Sequence, residues 1–204
     1  MPLLDPIDMT DPAIAELVKF FDSTLGFTPN SVLTMQRRPA IARAFVELNR
    51  AVMRNEGKVT SELKRLIGYM ASLTAGCSYC QAHTALAAQR FGLSEERLEA
   101  LWDYQTSPLY DDAERAALDF AVAASSVPNA VTDEIGERMR AYWSEGEIVE
   151  ILGVISLFGF LNRWNDSMGT PLEGDAHDFA GKHLGAHGWA PGKHRDDHAG
   201  RNGQ

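Results

Sequence analysis

The chain has 204 residues, 45% of them hydrophobic, enough for one domain with a sizeable core. Its 28 acidic residues outnumber 19 basic ones, a formal charge of -9 that argues against a phosphate-tracking surface and so against nucleic acid. Met1 to Pro12 has no basic n-region or apolar run, and the most hydrophobic stretch, 148–161, is broken by Glu150 and too short for the roughly 20 residues of a spanning helix, so no membrane partner is expected and the protein reads as cytoplasmic.

Pro12 to about Leu25 reads as a first helix, and Gly26-Phe27-Thr28-Pro29-Asn30 as a turn-rich break. Pro39 opens a helix over 40–55 with Ile41, Phe45, Leu48 and Val52 on one face. Gly57 stops it, and Thr60 or Ser61 caps the next helix, whose stripe is Leu63, Leu66, Ile67, Met70 and Leu73. That helix ends near Gly76, a cysteine-bearing helix follows from Cys77 to about Phe91, and Gly92 closes it. Ser94 starts 95–104. Asp111 with Glu114 forms a capping box for a helix through Ala124, and Thr132 to Trp143 is helical again. Ser144 with Glu147 opens a long helix that stops at Gly169-Thr170-Pro171. No strand pattern or fixed-period repeat stands out. The domain therefore spans 1–171, and 172–204 reads as a Gly/His-rich tail, partly disordered, above all from Gly188 onward.

The chemistry points to Cys77-Ser78-Tyr79-Cys80, with His83 one turn on. Residues at i and i+3 share one side of a helix, so the two thiols can form a disulfide across one turn. A helix N-terminus lowers a thiol's pKa, and His83 is placed to exchange a proton with Cys80. In a reducing compartment such a pair is redox-active or metal-binding rather than a structural staple. The bland alternative is two small buried hydrophobes. Zinc is another, but structural zinc needs four ligands and no second pair is evident in the core. The later histidines (His177, His183, His187, His194, His198) are loosely spaced, so no metal and no other cofactor is assigned. A thioredoxin fold is excluded because 63–75 has helical rather than strand periodicity.

Leu63-Lys64-Arg65-Leu66-Ile67 and Ala75-Gly76-Cys77-Ser78-Tyr79-Cys80-Gln81-Ala82-His83 resemble the alkylhydroperoxidase AhpD-like branch of the carboxymuconolactone decarboxylase family. The likeness extends from Gly26-Phe27-Thr28-Pro29-Asn30 to Asn162-Arg163-Trp164-Asn165-Asp166. It implies an all-α bundle of helical hairpins with the dithiol at the start of a core helix. It also implies a homo-oligomer (trimer or hexamer, a dimer being a further option) and reduction of a hydroperoxide substrate at the expense of a dithiol reductant. By resemblance Cys80 is the attacking thiol and Cys77 the resolving one. The helix dipole alone favours Cys77 as the more acidic, whereas His83 is better placed for Cys80.

Two positions depart from that pattern. The relay glutamate of the relatives, twelve residues before the first cysteine, is Arg65 here, and the relay histidine, four after the second, is Thr84. Glu62, one turn before Arg65, is the candidate replacement, its alternative being a surface salt-bridge residue. Tyr79 stands between the cysteines and can donate a hydrogen bond but not act as a base near neutral pH. A buried Glu150 would need a partner, with Arg65 or Arg163 as candidates. The other functional readings are a redox-sensing or scaffold oligomer, a lactone decarboxylase and a zinc-binding module.

Overall fold

Capping chemistry accounts for most of the helix boundaries in the computed structural model, which describes residues 2–54 and 57–195. Asp11 accepts the N–H groups of Ala13 and Ile14 and starts α1 (Pro12–Thr24). A short α2 (Asn30–Met35), unanticipated in the sequence, precedes α3 (Pro39–Val52). Thr60 caps α4 (Ser61–Ala75), which Gly76 ends in the left-handed region at φ 74°. Then come α5 (Ser78–Arg90), α6 (Glu95–Glu99) with a 3-10 turn at 100–103, and α7 (Asp112–Ser125). α8 (Asp133–Tyr142), α9 (Glu145–Met168) and α10 (Gly174–Leu184) complete the set, followed by 3-10 turns at 185–187 and 192–194. Both expected capping boxes, Asp111/Glu114 and Ser144/Glu147, are formed. Among the described residues there is no strand, so the fold is all-α, and no helix is long and apolar enough to cross a membrane.

α4 is the central helix, packed on α5, α7 and α9, with Leu63, Leu66, Ile67 and Met70 buried. Gly68 lets α9 come close: a Cβ there would lie 2.7 Å from Cδ2 of Phe158. α5 is buried continuously from Tyr79 to Ala88, because α4, α9 and α10 surround it.

Three expectations change. On α3 the buried residues are Ala42, Phe45, Val46 and Asn49, while Ile41 and Leu48 are 41% and 50% exposed. The helix is rotated so that its polar Asn49 faces inward. Glu150 pairs with neither Arg65 nor Arg163 but with Lys64 Nζ, at 2.5 Å. Lys64 is 1% exposed and also donates to the carbonyls of Val52 and Arg54, closing the end of α3 where four carbonyls lack helical partners. Finally, the segment beyond Pro171 does not leave the bundle. Ala176, Ala180 and Leu184, four apart, form a narrow buried stripe that seats α10 on α5, a signal masked by the surrounding Gly and His. His198 and the rest of 196–204 lie outside the described residues.

Candidate active site

Gly76 reverses the chain, and Cys77 follows in extended conformation as the N-cap of α5. Its Sγ does what a serine oxygen does at that position, accepting the N–H of Cys80 at 3.4 Å. Both thiols are free and buried. Cys80 Sγ receives the Nδ2–H of Asn165, from α9, at 3.5 Å. Burial, followed by the adjoining Cys77 thiol, pushes the Cys80 thiol well above its ordinary pKa, with the Asn165 amide acting in the opposite sense. The helix N-terminus alone would lower it, but at about 0.3–1 kcal/mol the dipole is the smaller effect for a desolvated thiol. Cys80 at rest is protonated and needs a base or a local rearrangement to react.

His83 does not contact Cys80 in the way its spacing suggests. Its Nδ1 lies 2.9 Å from the carbonyl of Tyr79, and its Nε2 lies 2.8 Å from Oε2 of Glu173. A carbonyl only accepts, so Nδ1 carries a proton. The Nε2–carboxylate contact is close but poorly aligned for a directed hydrogen bond. His83 and Glu173 thus form a close imidazole–carboxylate pair.

Glu173 is tied down from the other side. Its Oε1 accepts the Tyr79 hydroxyl at 2.9 Å and the Asn30 N–H at 2.5 Å, while Asn30 Nδ2 donates to Pro171 O at 3.0 Å. Burial and the Glu173 carboxylate raise the Tyr79 pKa well above its usual value, so the phenol keeps its proton. Its ring stacks on His83 at 4.1 Å between centroids, and Phe27 meets the His83 ring edge-on at 5.6 Å. The Gly26–Asn30 turn and the 170–173 segment therefore lock together over the first turn of α5.

The last described segment also supports Asn165. Thr170 Oγ1 donates to Asn165 Oδ1 at 2.9 Å, fixing the amide so that its Nδ2–H faces Cys80. His194 Nδ1 donates to Thr170 O at 2.9 Å, and Trp189 Nε1 to Ser78 O at 3.1 Å. Glu173 and Thr170 carried no sequence signal for the site, and Asn165 only its place in the 162–166 stretch of the family likeness, because each meets the dithiol through packing.

A cavity of about 420 Å³ opens beside the dithiol, and of the two thiols only Cys80 lines it. His83, Tyr79 and Asn165 line it too, and its body is apolar, with Phe20, Phe45, Phe91, Phe158 and Leu161. Such a volume suits a small organic molecule. Among the described residues no three His, Cys, Asp or Glu side chains converge to hold a metal ion. His187 stacks on Trp102 and His177 contacts Asp178, each away from the cysteines.

A model of the carboxymuconolactone decarboxylase family matches residues 39–123. The crystal structure of the debrominase Bmp8 in its apo form is 35% identical, with TM-score 0.81 over 87% of this chain and 95% of that one. The chain belongs to the carboxymuconolactone decarboxylase family. A cysteine-to-alanine variant of Bmp8 in complex with 2,3,4-tribromopyrrole is similar as well, with TM-score 0.83 at 33% identity over 89% and 97% of the chains. The uncharacterized protein YnjA of Escherichia coli (strain K12) is 35% identical over 99 residues, 48% of this chain and 54% of YnjA, so the likeness spans about half that relative's length. The alkylhydroperoxidase AhpD core protein of Ralstonia eutropha JMP134, peroxidase-related, has TM-score 0.72 at 21% identity over 86% of this chain and 95% of that one, which shows the shared AhpD-like fold.

Within this family frame the relay positions read differently. Glu62 does not line the cavity: its carboxylate pairs with Arg97, which also holds Glu114 at 2.7 Å. One residue on from Ser61 is roughly 100° round a helix, so Glu62 faces α6 and α7 while Ser61 and Arg65 face the cavity. Thr84 donates to the Cys80 carbonyl at 2.8 Å. The carboxylate that reaches the site is Glu173, about a hundred residues further along the chain.

Proposed function

We propose that the protein is a dithiol-dependent reductase of small organic hydroperoxides, with Cys80 as nucleophile and Cys77 as resolving thiol. The observation that carries this reading is that Cys80, and not Cys77, lines the cavity, one turn from its partner and under the Asn165 amide. Cys80 gives up its proton to the His83/Glu173 pair and its sulfur attacks the distal peroxide oxygen. The O–O bond breaks, the alkoxide takes a proton from the His83/Glu173 pair, and Cys80 is left as a sulfenic acid. The Cys77 sulfur then attacks that of Cys80, water leaves, and the disulfide forms. An external dithiol reduces it back, so ROOH plus two thiols yields ROH, water and a disulfide. The apolar walls favour an organic hydroperoxide over hydrogen peroxide. The reducing cytoplasm is where such a cycle would be sustained. We infer that the chain works as a homo-oligomer, supported by the exposed apolar strip of Ile41, Leu48 and Phe160.

A second reading is favoured by the likeness to the debrominase Bmp8: the same dithiol would remove halogen from a brominated aromatic ring. Its balance is equally simple, since C–Br plus two thiols yields C–H, HBr and a disulfide.

Stopped-flow mixing of the reduced protein with cumene hydroperoxide, hydrogen peroxide or a brominated pyrrole, followed by free-thiol loss and bromide release, separates the readings. Fast thiol loss with the hydroperoxide, repeated on adding a dithiol, is expected. A reaction consumed after one equivalent would instead mark a redox sensor. Cys77→Ser should trap a dimedone-reactive sulfenate on Cys80. Loss no faster than in denatured protein would end the peroxidase reading, and bromide release without peroxide consumption would replace it with the second.

A further inference from the structure

We infer that the cavity takes an apolar molecule bearing a negatively charged group, a carboxylate above all, which is held by Arg65 and Ser61. This deepens the reductase reading by naming its substrate class.

Arg65 is 5% exposed and lines the cavity. Its Nη1 donates to the carbonyl of Ser61 at 2.9 Å, and its guanidinium lies 3.7 Å from the centroid of Phe91. Among the described residues no carboxylate pairs with it, and its Nε has no hydrogen-bond partner. Burial alone, with no opposing negative charge, lowers its pKa to about 10, so it stays charged near neutrality. A desolvated cation without a counter-ion is costly, and the aromatic face of Phe91 offsets only part of that cost.

Ser61 sits one turn earlier on the same face of α4. It is 4% exposed, lines the cavity, and its Oγ also lacks a partner. Two residues that each keep an unpartnered donor, one of them charged, thus line one cavity four residues apart, the spacing at which helix side chains meet. A carboxylate satisfies both, with the guanidinium binding its oxygens side by side.

The rest of the wall has the same sign. Arg50 and Arg54 also line the cavity, and among the described residues no Asp or Glu does, in a chain whose acidic residues outnumber its basic ones by 28 to 19. Glu173 stands behind His83 and Tyr79 and is already bonded by Tyr79 and Asn30. With Arg65 and Cys80 both on the wall, the cavity can hold an anionic group at the guanidinium while presenting another part of the ligand to the thiol.

The test uses unreactive ligands on the full-length reduced protein. Isothermal titration with 2-naphthoate and with 2-naphthalenemethanol compares the same apolar body with and without the charge. The carboxylate should bind about tenfold tighter or more. Arg65→Met should remove that preference, and Arg65→Lys should keep part of it. Equal binding of acid and alcohol by the wild type, a comparison independent of any variant's folding, overturns the proposal. So does an undiminished preference in a folded Arg65→Met variant. Because neither ligand reacts with thiols, an anion preference without peroxide turnover sinks the reductase reading alone. Turnover of cumene hydroperoxide without an anion preference sinks this inference alone.

Discussion

Replacing Glu173 by Gln is the most discriminating perturbation of the site. Glu173 Oε1 accepts hydrogen bonds from Tyr79 and Asn30, and Oε2 contacts His83 Nε2 at 2.8 Å. A glutamine keeps the acceptor at Oε1 and places an N–H toward His83, so the packing survives but the carboxylate is gone. Hydrogen bonds to a charged group are worth about 1.5–3 kcal/mol against about 0.5–1.5 for neutral ones. Neutralising an acceptor of two should therefore cost about 2 kcal/mol, a fall of roughly 4–8 °C in Tm for a chain of this size. General acid–base groups contribute on the order of 10²–10⁴ in rate, and a residue acting through another belongs at or below the low end. Glu173→Gln should therefore slow oxidation of Cys80 by cumene hydroperoxide about 10- to 100-fold near pH 7, as read by stopped-flow thiol loss. The deficit should shrink at alkaline pH, where hydroxide ionises the thiol directly and raises its attack rate. Glu62→Gln, whose carboxylate only braces Arg97, should leave the rate unchanged. A folded Glu173→Gln protein that is oxidised at the wild-type rate, with the wild-type pH profile, would refute the proton-pair argument.

Other expectations concern the scaffold. Gly68→Ala should force the Phe158 ring out of place, costing about 1–3 kcal/mol, and an unchanged thermal midpoint would contradict the close packing of α4 on α9. Lys64→Met leaves Glu150 and two carbonyls without their cation, and urea unfolding should show a loss of about 3 kcal/mol. Burial lowers the pKa of His194, so the unfolded chain takes up this proton before the folded one does. Stability should then be full above about pH 6.5 and decline as the pH falls below it. His194→Asn, which keeps a donor for Thr170 O, should flatten that decline in thermal melts between pH 7.5 and 5.5; an unaltered slope would remove His194 from the acid response.

What the sequence determined by itself lies within a helical turn or two of each residue. Asp111/Glu114 and Ser144/Glu147 announce their helices because a cap is a contact between residues three apart. Gly76 before Cys77 and Cys80 sets the dithiol at a helix start for the same reason. Only the tertiary structure decided the surroundings. Asn165 meets Cys80 across 85 residues, and Tyr79 meets Glu173 across 94. Which way α4 and α3 are rotated sends Glu62 to Arg97, Arg65 to the cavity and Ile41 to the surface. Those contacts follow from how helix faces pack on one another, where a rotation of a single residue position, roughly 100°, exchanges a buried side chain for an exposed one. His83 shows the limit within one turn: spacing put it near Cys80, but packing supplied a carboxyl group from beyond Pro171, and Nε2 of the ring lies against it.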